Sequence, residues 1–377
     1  MPDESFPASS EVGVACLPGL LDTNPYQRLL YGSLASEGVM LRSGFRLEVG
    51  SLLRGRGTVR VLHFHWPELH YRQFGGPAFV RGPLSALRLG VFATRLTTAR
   101  LLGFRIVWTV HQLAPHEQVT PQVDRLAARL LARQAARLIV HDEATLTAIE
   151  REFGPRARAK TRVVPHGSYA GVYPARRSRV EARAAIGIDD DRFTLLSFGH
   201  IRAYKAIDLL LEAFARIERT EIALVIAGMT HDAAAEQALH RAAVADPRIR
   251  LIVGFIPDDA VGDLFAASDA AVIARPDGGT SGSLVLALSQ GLPVIASSSP
   301  AYRELVGENG WLFAPGDSHS LAAALETAAA QHRMRPPVPV DGRVPSWPAV
   351  AAATAVVFRE ALGIRGRAGH RLAGEPT

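Results

Sequence analysis

Between Ser197 and Asp208 the chain reads Ser-Phe-Gly-His-Ile-Arg-Ala-Tyr-Lys-Ala-Ile-Asp, between an apolar β-type run and a helical one. That setting suits phosphate. Gly199 lets a backbone approach a ligand closely, a following helix presents unsatisfied N–H groups, and Arg202 and Lys205 can neutralise a diphosphate through bidentate and point-charge contacts. Only Lys160 and Lys205 are lysines among 42 basic residues, so composition alone accounts poorly for a lysine here, although an ordinary basic loop remains the alternative. A second candidate is Asp277-Gly-Gly-Thr-Ser-Gly-Ser283, a Gly-rich turn leading into an apolar helix. There the N–H groups and hydroxyls of Thr280, Ser281, Gly282 and Ser283 can cradle oxyanions, or the turn can be a simple helix cap.

The N-terminal half carries acid and base groups where strands are expected to end, in His63-Phe-His-Trp-Pro-Glu68 and in Trp108-Thr-Val-His-Gln-Leu-Ala-Pro-His-Glu117. A hydroxyl that attacks a carbon centre must lose its proton, and a histidine or carboxylate of suitable pKa can take it. His111 is the favoured base or ligand-positioning residue, followed by Glu117 and Glu68. His65 and His116 also read as structural hydrogen-bonders at bends, and Trp66 and Trp108 as packed aromatics rather than stacking platforms for a ligand. His141-Asp142 and His166 are peripheral, and Glu304 either reaches a ligand or serves a helix turn. The histidines lack the short fixed spacing of a metalloenzyme helix, and no metal site is expected.

These groups need strands and turns to hold them. Val12–Leu17, Val39–Leu41, Val59–Phe64, Arg105–Val110, Leu138–Val140 and Arg162–Val164 read as strands. Between them, Tyr26–Glu37, Pro83–Leu102, Pro121–Ala136 and Asp142–Glu152 read as helices. Around Tyr169–Ile188 the pattern becomes rich in Pro, Gly and Arg, and a second series follows. Its strands are Phe193–Phe198, Ala223–Ala227, Ile249–Val253, Ala270–Ile273 and Pro293–Ala296, with helices such as Ile207–Ile217, Asp258–Ala267 and Ser318–Ala330. A Pro-rich connector, Pro336–Pro345, leads to a last helix from Ser346 to Leu362.

Such alternation predicts an α/β fold of two Rossmann-like domains, whose ligands sit at the carboxyl ends of parallel strands. The expected organisation is a flexible N-terminus over 1–12, one Rossmann-like domain over 13–175 and a second over 190–335. A crossover helix over 346–362 returns to the first domain, and 363–377 is a flexible tail. Two domains imply a cleft between them.

Composition narrows the function. The 377 residues are 48% hydrophobic, with no low-complexity tract, so a disordered or fibrous chain is excluded. The absence of a run of roughly 20 apolar residues and the acidic, polar start imply a cytoplasmic location. The single cysteine, Cys16, rules out an internal disulfide and reads as a buried strand residue. Residues 1–180 carry 24 basic and 13 acidic side chains, a net +11, and the remainder 18 and 23, a net −5. The basic half suits an anionic membrane surface or an acidic acceptor, while a solvated arginine-rich surface explains the same count. The arginines are scattered without a recognition motif, so nucleic acid is not an expected partner.

With its Gly199-x-x-Arg202-x-Tyr204-Lys205 loop, the sequence resembles the GT-B glycosyltransferase superfamily, in particular bacterial polysaccharide-type enzymes. Gly254-Phe-Ile-Pro257, Leu264-Phe-Ala-Ala-Ser-Asp269 and Gly291-Leu-Pro-Val-Ile-Ala296 carry the same resemblance. It implies a GT-B fold in which 13–175 binds the acceptor and 190–335 the donor, and hexosyl transfer from a nucleoside diphosphate sugar, GDP- or UDP-linked, with no separate cofactor. It also implies a glycan, lipid-linked or small-molecule acceptor and a place at the inner face of the membrane. One departure stands out. Counting from Gly291, the paired glutamates of the retaining subgroup fall at Gly278 and Leu286, so neither acid is present and Asp277 is the nearest substitute. The variant turn is similar to that of β-mannosyltransferase-type exopolysaccharide enzymes. An epimerase or phosphorylase on the same fold, or a catalytically silent sugar-nucleotide-binding subunit, remains as an alternative.

Overall fold

A computed structural model of the chain describes residues 11–21, 25–113, 120–276, 279–332 and 344–364. Its first part runs β1 (Val12–Leu17), α1 (Pro25–Leu34), β2 (Val39–Leu41), α2 (Val49–Gly55), β3 (Val61–Phe64), α3 (Glu68–Tyr71), α4 (Ala78–Leu101) and β4 (Arg105–Thr109). Then come α5 (Pro121–Gln134), β5 (Arg137–Val140), α6 (Glu143–Phe153), α7 (Pro155–Ala159) and β6 (Thr161–Val163). The second part runs α8 (Arg179–Ala185), β7 (Phe193–Phe198), α9 (Ile207–Ala215), β8 (Ile222–Gly228), α10 (Ala233–Ala245), β9 (Ile249–Val253) and α11 (Asp258–Ala266). It continues with β10 (Ala270–Ile273), α12 (Gly282–Ser289), β11 (Val294–Ser297), α13 (Pro300–Val306), β12 (Gly310–Phe313) and α14 (Ser318–Gln331), and the chain closes with α15 (Trp347–Ala361).

Two compact units result: residues 1–165 with 346–377, and residues 166–345. Each holds a six-stranded parallel sheet, ordered β2-β1-β3-β4-β5-β6 in the first and β12-β11-β10-β7-β8-β9 in the second. β1 and β8 are buried along their whole length, as strands covered on both faces must be, and they read as continuous small or apolar runs. The strand order reverses between β1 and β3 in the first sheet and between β7 and β10 in the second. At such a reversal the connections leave in opposite directions and open a crevice at the strand ends. The segments that begin at Pro18, His65, Gly199 and Ala274 all start there.

α15 belongs to the first unit. Glu360 forms ion pairs with Arg137 at 2.9 Å and Arg162 at 3.0 Å, and Trp347 meets Tyr26 of α1 edge-on at 5.2 Å. The helix expected from Pro83 starts earlier, at Ala78, with Pro83 inside it. In the second turn Pro83 removes the N–H that would bond Phe79 O and sets its ring against that carbonyl, a local cost that the rest of the 24-residue helix carries. The stretch read as an Arg-rich connector contains α8, which opens with a capping box of Ser178 and Glu181. Tyr169 belongs to the second unit, where its N–H donates to Ser289 Oγ at 2.8 Å.

Candidate functional site

In the second unit the turn after β7 and the start of α12 converge. Gly199 has φ +105°, a conformation that favours glycine, and its N–H donates to Ala227 O at 2.9 Å. A Cβ at Gly199 would lie 2.8 Å from Lys205 Nζ and 3.2 Å from Ser283 Oγ. Lys205 Nζ donates to Phe198 O at 3.2 Å and to Ser283 Oγ at 3.1 Å, and Ser283 Oγ donates to Phe198 O at 3.1 Å. The sequence separates Lys205 from Ser283 widely, and the strand reversal brings them together. Ala206, φ +51°, is the non-glycine residue in the left-handed region among those described, and it sits between Lys205 and α9. Backbone strain of this kind costs about 1–3 kcal/mol and persists where surrounding structure demands it.

The electrostatics favour an anion. Burial, with Arg275 and Arg202 nearby, pulls the Lys205 ammonium down to about 8. A cation destabilised by its surroundings gains from a negative ligand. Arg275, which sequence reasoning missed, is buried behind β10 with its guanidinium 5.1 Å above the Tyr204 ring. The available signal was an arginine closing the apolar run Ala-Ala-Val-Ile-Ala.

Arg202 is exposed, in extended backbone just before the Ala203–Lys205 turn. Ser281 caps α12, accepting from Leu284 N at 3.3 Å, so its hydroxyl is engaged in the way the cap alternative anticipated. Gly282 is the first residue of that helix, and Thr280 precedes the cap. Asp277 lies outside the described residues, as does Glu117.

In the first unit, residues at the ends of β3, β4 and β5 meet α1. His63 Nδ1 lies 2.8 Å from Tyr31 Oη, which lies 3.2 Å from His65 Nε2. His65 Nδ1 is 3.0 Å from His111 Nε2, and His111 Nδ1 is 3.3 Å from His141 Nε2. Burial lowers His63 to about 3 and lowers His65 and His141 as well. Both ring nitrogens of His111, the base favoured from sequence, are therefore engaged within the protein. His65 and His141, read as structural or peripheral, are its partners. His166 bonds its neighbouring Gly167 carbonyl at 2.8 Å.

Glu68 is differently placed. It opens α3 and lines a small, partly open pocket with Trp66, Tyr71, Trp108, Gln112 and Asp124. Burial raises its pKa above 4.5, and its carboxylate forms no ion pair among the described residues. Its neighbour Asp124 is committed to Arg72 at 2.6 Å, with Tyr71 Oη donating to it at 3.0 Å. Trp108 Nε1, in the same pocket lining, has no hydrogen-bond partner among the described residues. Cys16 is buried, its thiol pushed up to about 12 by burial, which removes it as a nucleophile. Among the described residues no group of three or more His, Cys, Asp or Glu is arranged to hold a metal.

Residues 192–331 match the family described as Glycosyl transferases group 1. The chain is similar to GDP-mannose:glycolipid 4-beta-D-mannosyltransferase of Xanthomonas campestris pv. campestris, 29% identical over 353 residues that cover 92% of this chain and 91% of that one. Its structure resembles sucrose-phosphate synthase from Thermosynechococcus elongatus, with a TM-score of 0.69 and 16% identity, over 94% of this chain and 100% of that one. It also resembles Anabaena Alr3699/HepE in complex with UDP and glucose, with a TM-score of 0.62 and 17% identity, over 94% and 97%.

Proposed function

From a GT-B chain whose residues 192–331 are a glycosyl transferase group 1 domain, we propose hexosyl transfer from a nucleoside diphosphate sugar, GDP-mannose being the favoured donor, to an acceptor hydroxyl. The observation that carries this reading is the Gly199–Lys205–Ser283 cradle at the strand reversal between β7 and β10. Lys205, Ser283, Arg202 and Arg275 bind the donor diphosphate and stabilise the charge that develops as it leaves. The relative's name supports the choice of GDP-mannose and of a glycolipid acceptor.

Glu68 replaces His111 as the proposed base. The acceptor oxygen bonds to the anomeric carbon, the bond from that carbon to the diphosphate oxygen breaks, and the acceptor proton passes to the Glu68 carboxylate. An unpaired carboxylate with a raised pKa suits this role, and Trp108 Nε1–H adds a donor for a polyhydroxyl ligand. Incubation with GDP-mannose and a lipid-linked oligosaccharide, read by mass spectrometry, tests the reading. A product heavier by one hexose supports it, whereas epimerised donor or phosphate-dependent sugar phosphate favours the other chemistries.

A lipid-linked acceptor requires access to a bilayer, and no described helix is long and apolar enough to cross one. α4 suits peripheral contact with an anionic membrane at the inner, cytoplasmic face. Phe79 is 79% and Leu87 67% exposed, Val91 continues the same face, and between Glu68 and Glu117 the sequence has six arginines and no acid. Leu87→Asp is expected to abolish co-sedimentation with phosphatidylglycerol vesicles. Equal binding of wild type to neutral phosphatidylcholine vesicles would contradict the electrostatic part of this assignment.

A further inference from the structure

Four of the first unit's histidines, His63, His65, His111 and His141, form one hydrogen-bonded line through Tyr31, and its ends decide its direction. At one end His141 Nδ1 is 2.8 Å from Val164 O, and a carbonyl can only accept, so this nitrogen carries the proton. A neutral His141 protonated at Nδ1 must accept at Nε2, and His111 Nδ1 is therefore the donor across 3.3 Å. At the other end His63 Nε2 lies 2.8 Å from Thr109 Oγ1, a hydroxyl that can give or receive.

We propose that the Val164 carbonyl sets the polarity of the whole line, so that His63, His65, His111 and His141 are all neutral Nδ1–H tautomers and His111 is a positioning residue rather than the base. Thr109 donates to His63 Nε2, His63 Nδ1–H to Tyr31 Oη, Tyr31 Oη–H to His65 Nε2, and His65 Nδ1–H to His111 Nε2. Each of these hydrogen bonds then joins one donor to one acceptor. The line leads no proton away, because it ends on a carbonyl. Its effect is to lock the His111 ring, on which Trp66 stacks at 4.9 Å and 13° and which Tyr26 meets edge-on at 4.9 Å. Trp66 and His65 are both walls of the Glu68 pocket, so the line shapes that pocket directly at His65 and through the stack of Trp66 on His111.

A cationic His111 is the competing state. It would donate from both nitrogens and force His65 and His63 into Nε2–H tautomers, with Thr109 accepting. Ring 15N spectra of the full chain, selectively labelled in histidine and assigned by single substitutions, separate the two without any assay of transfer. At pH 7.5 the expected result is four neutral Nδ1–H rings. A doubly protonated His111, or an Nε2–H ring at His65, overturns the proposal.

Tyr31→Phe, which removes one buried oxygen, adds a directional test. His63 loses the acceptor for its Nδ1–H and is expected to switch to Nε2–H toward Thr109, while His65, His111 and His141 keep their tautomers. A change at His111 would show that the direction is not imposed from Val164. The positioning role itself rests on Glu68 as the base. In His111→Gln the acid limb of kcat/KM is expected to persist while acceptor KM rises at least fivefold. Disappearance of that limb would make His111 the base, whatever the spectra show.

Discussion

Lys205 is costly to its fold, and the proposed diphosphate cradle gives that cost a use. Its pKa falls from 10.5 to about 8 through burial and two guanidiniums. Between those values the unfolded chain binds more protons than the folded one, so stability rises with pH across that window, and below it the full cost is present. Lys205→Met is therefore expected to melt higher at pH 7, by roughly 2–4 °C for each kcal/mol recovered. The same change removes charge-assisted contacts worth about 1.5–3 kcal/mol and weakens donor binding about 10- to 100-fold. Scanning calorimetry and donor titration on one preparation check both signs. For Glu68→Gln the expected loss in kcat is about 10²–10⁴-fold, with disappearance of an acid limb that lies above pH 4.5 in the wild type. Gly199, Arg202, Lys205 and Ser283 were legible from type and local pattern, because a glycine turn and a rare lysine stand out. Arg275 was not, since nothing local distinguishes a buried arginine from a surface one.

The elements were legible where burial leaves a regular trace. β1, β2, β7, β9 and β10 have the bounds their apolar runs predict. α8 was missed because its buried anchor is charged: Arg183 is fully buried, paired with Asp269 at 2.7 Å and donating to the Ala267 and Arg192 carbonyls. β12 was missed because Gly310 weakens a strand pattern, and its reason is three-dimensional. A Cβ there would lie 1.9 Å from Val294 O. The ends of β3 and β5 carry a prediction of their own. His63, His65 and His141 have lowered pKa values, so their contribution to stability is complete above about 6.5 and is lost as pH falls below it, for His63 down to about 3. Each can cost up to about 1.4 kcal/mol per pH unit. Hydrogen exchange at β3, β4 and β5 amides is expected to accelerate between pH 6 and 4 before that at β7 and β8. Simultaneous loss in both sheets would contradict the assignment.

For the whole molecule, two α/β units were readable from the alternation of apolar runs, and the division of charge from simple counting. The positions of the sites were not, because they depend on strand order, which is a property of the folded sheet. Only when β10 is beside β7 do Lys205 and Ser283 become neighbours. The central claim is that this cradle holds the diphosphate of a sugar nucleotide. Calorimetric titration of GDP-mannose into wild type and Ser283→Ala tests it most directly, with UDP-glucose as the comparison. Saturable binding of GDP-mannose to wild type, at least fivefold weaker in Ser283→Ala, is the predicted result. No binding of either nucleotide sugar to folded wild type, or binding indifferent to Ser283→Ala, would contradict it.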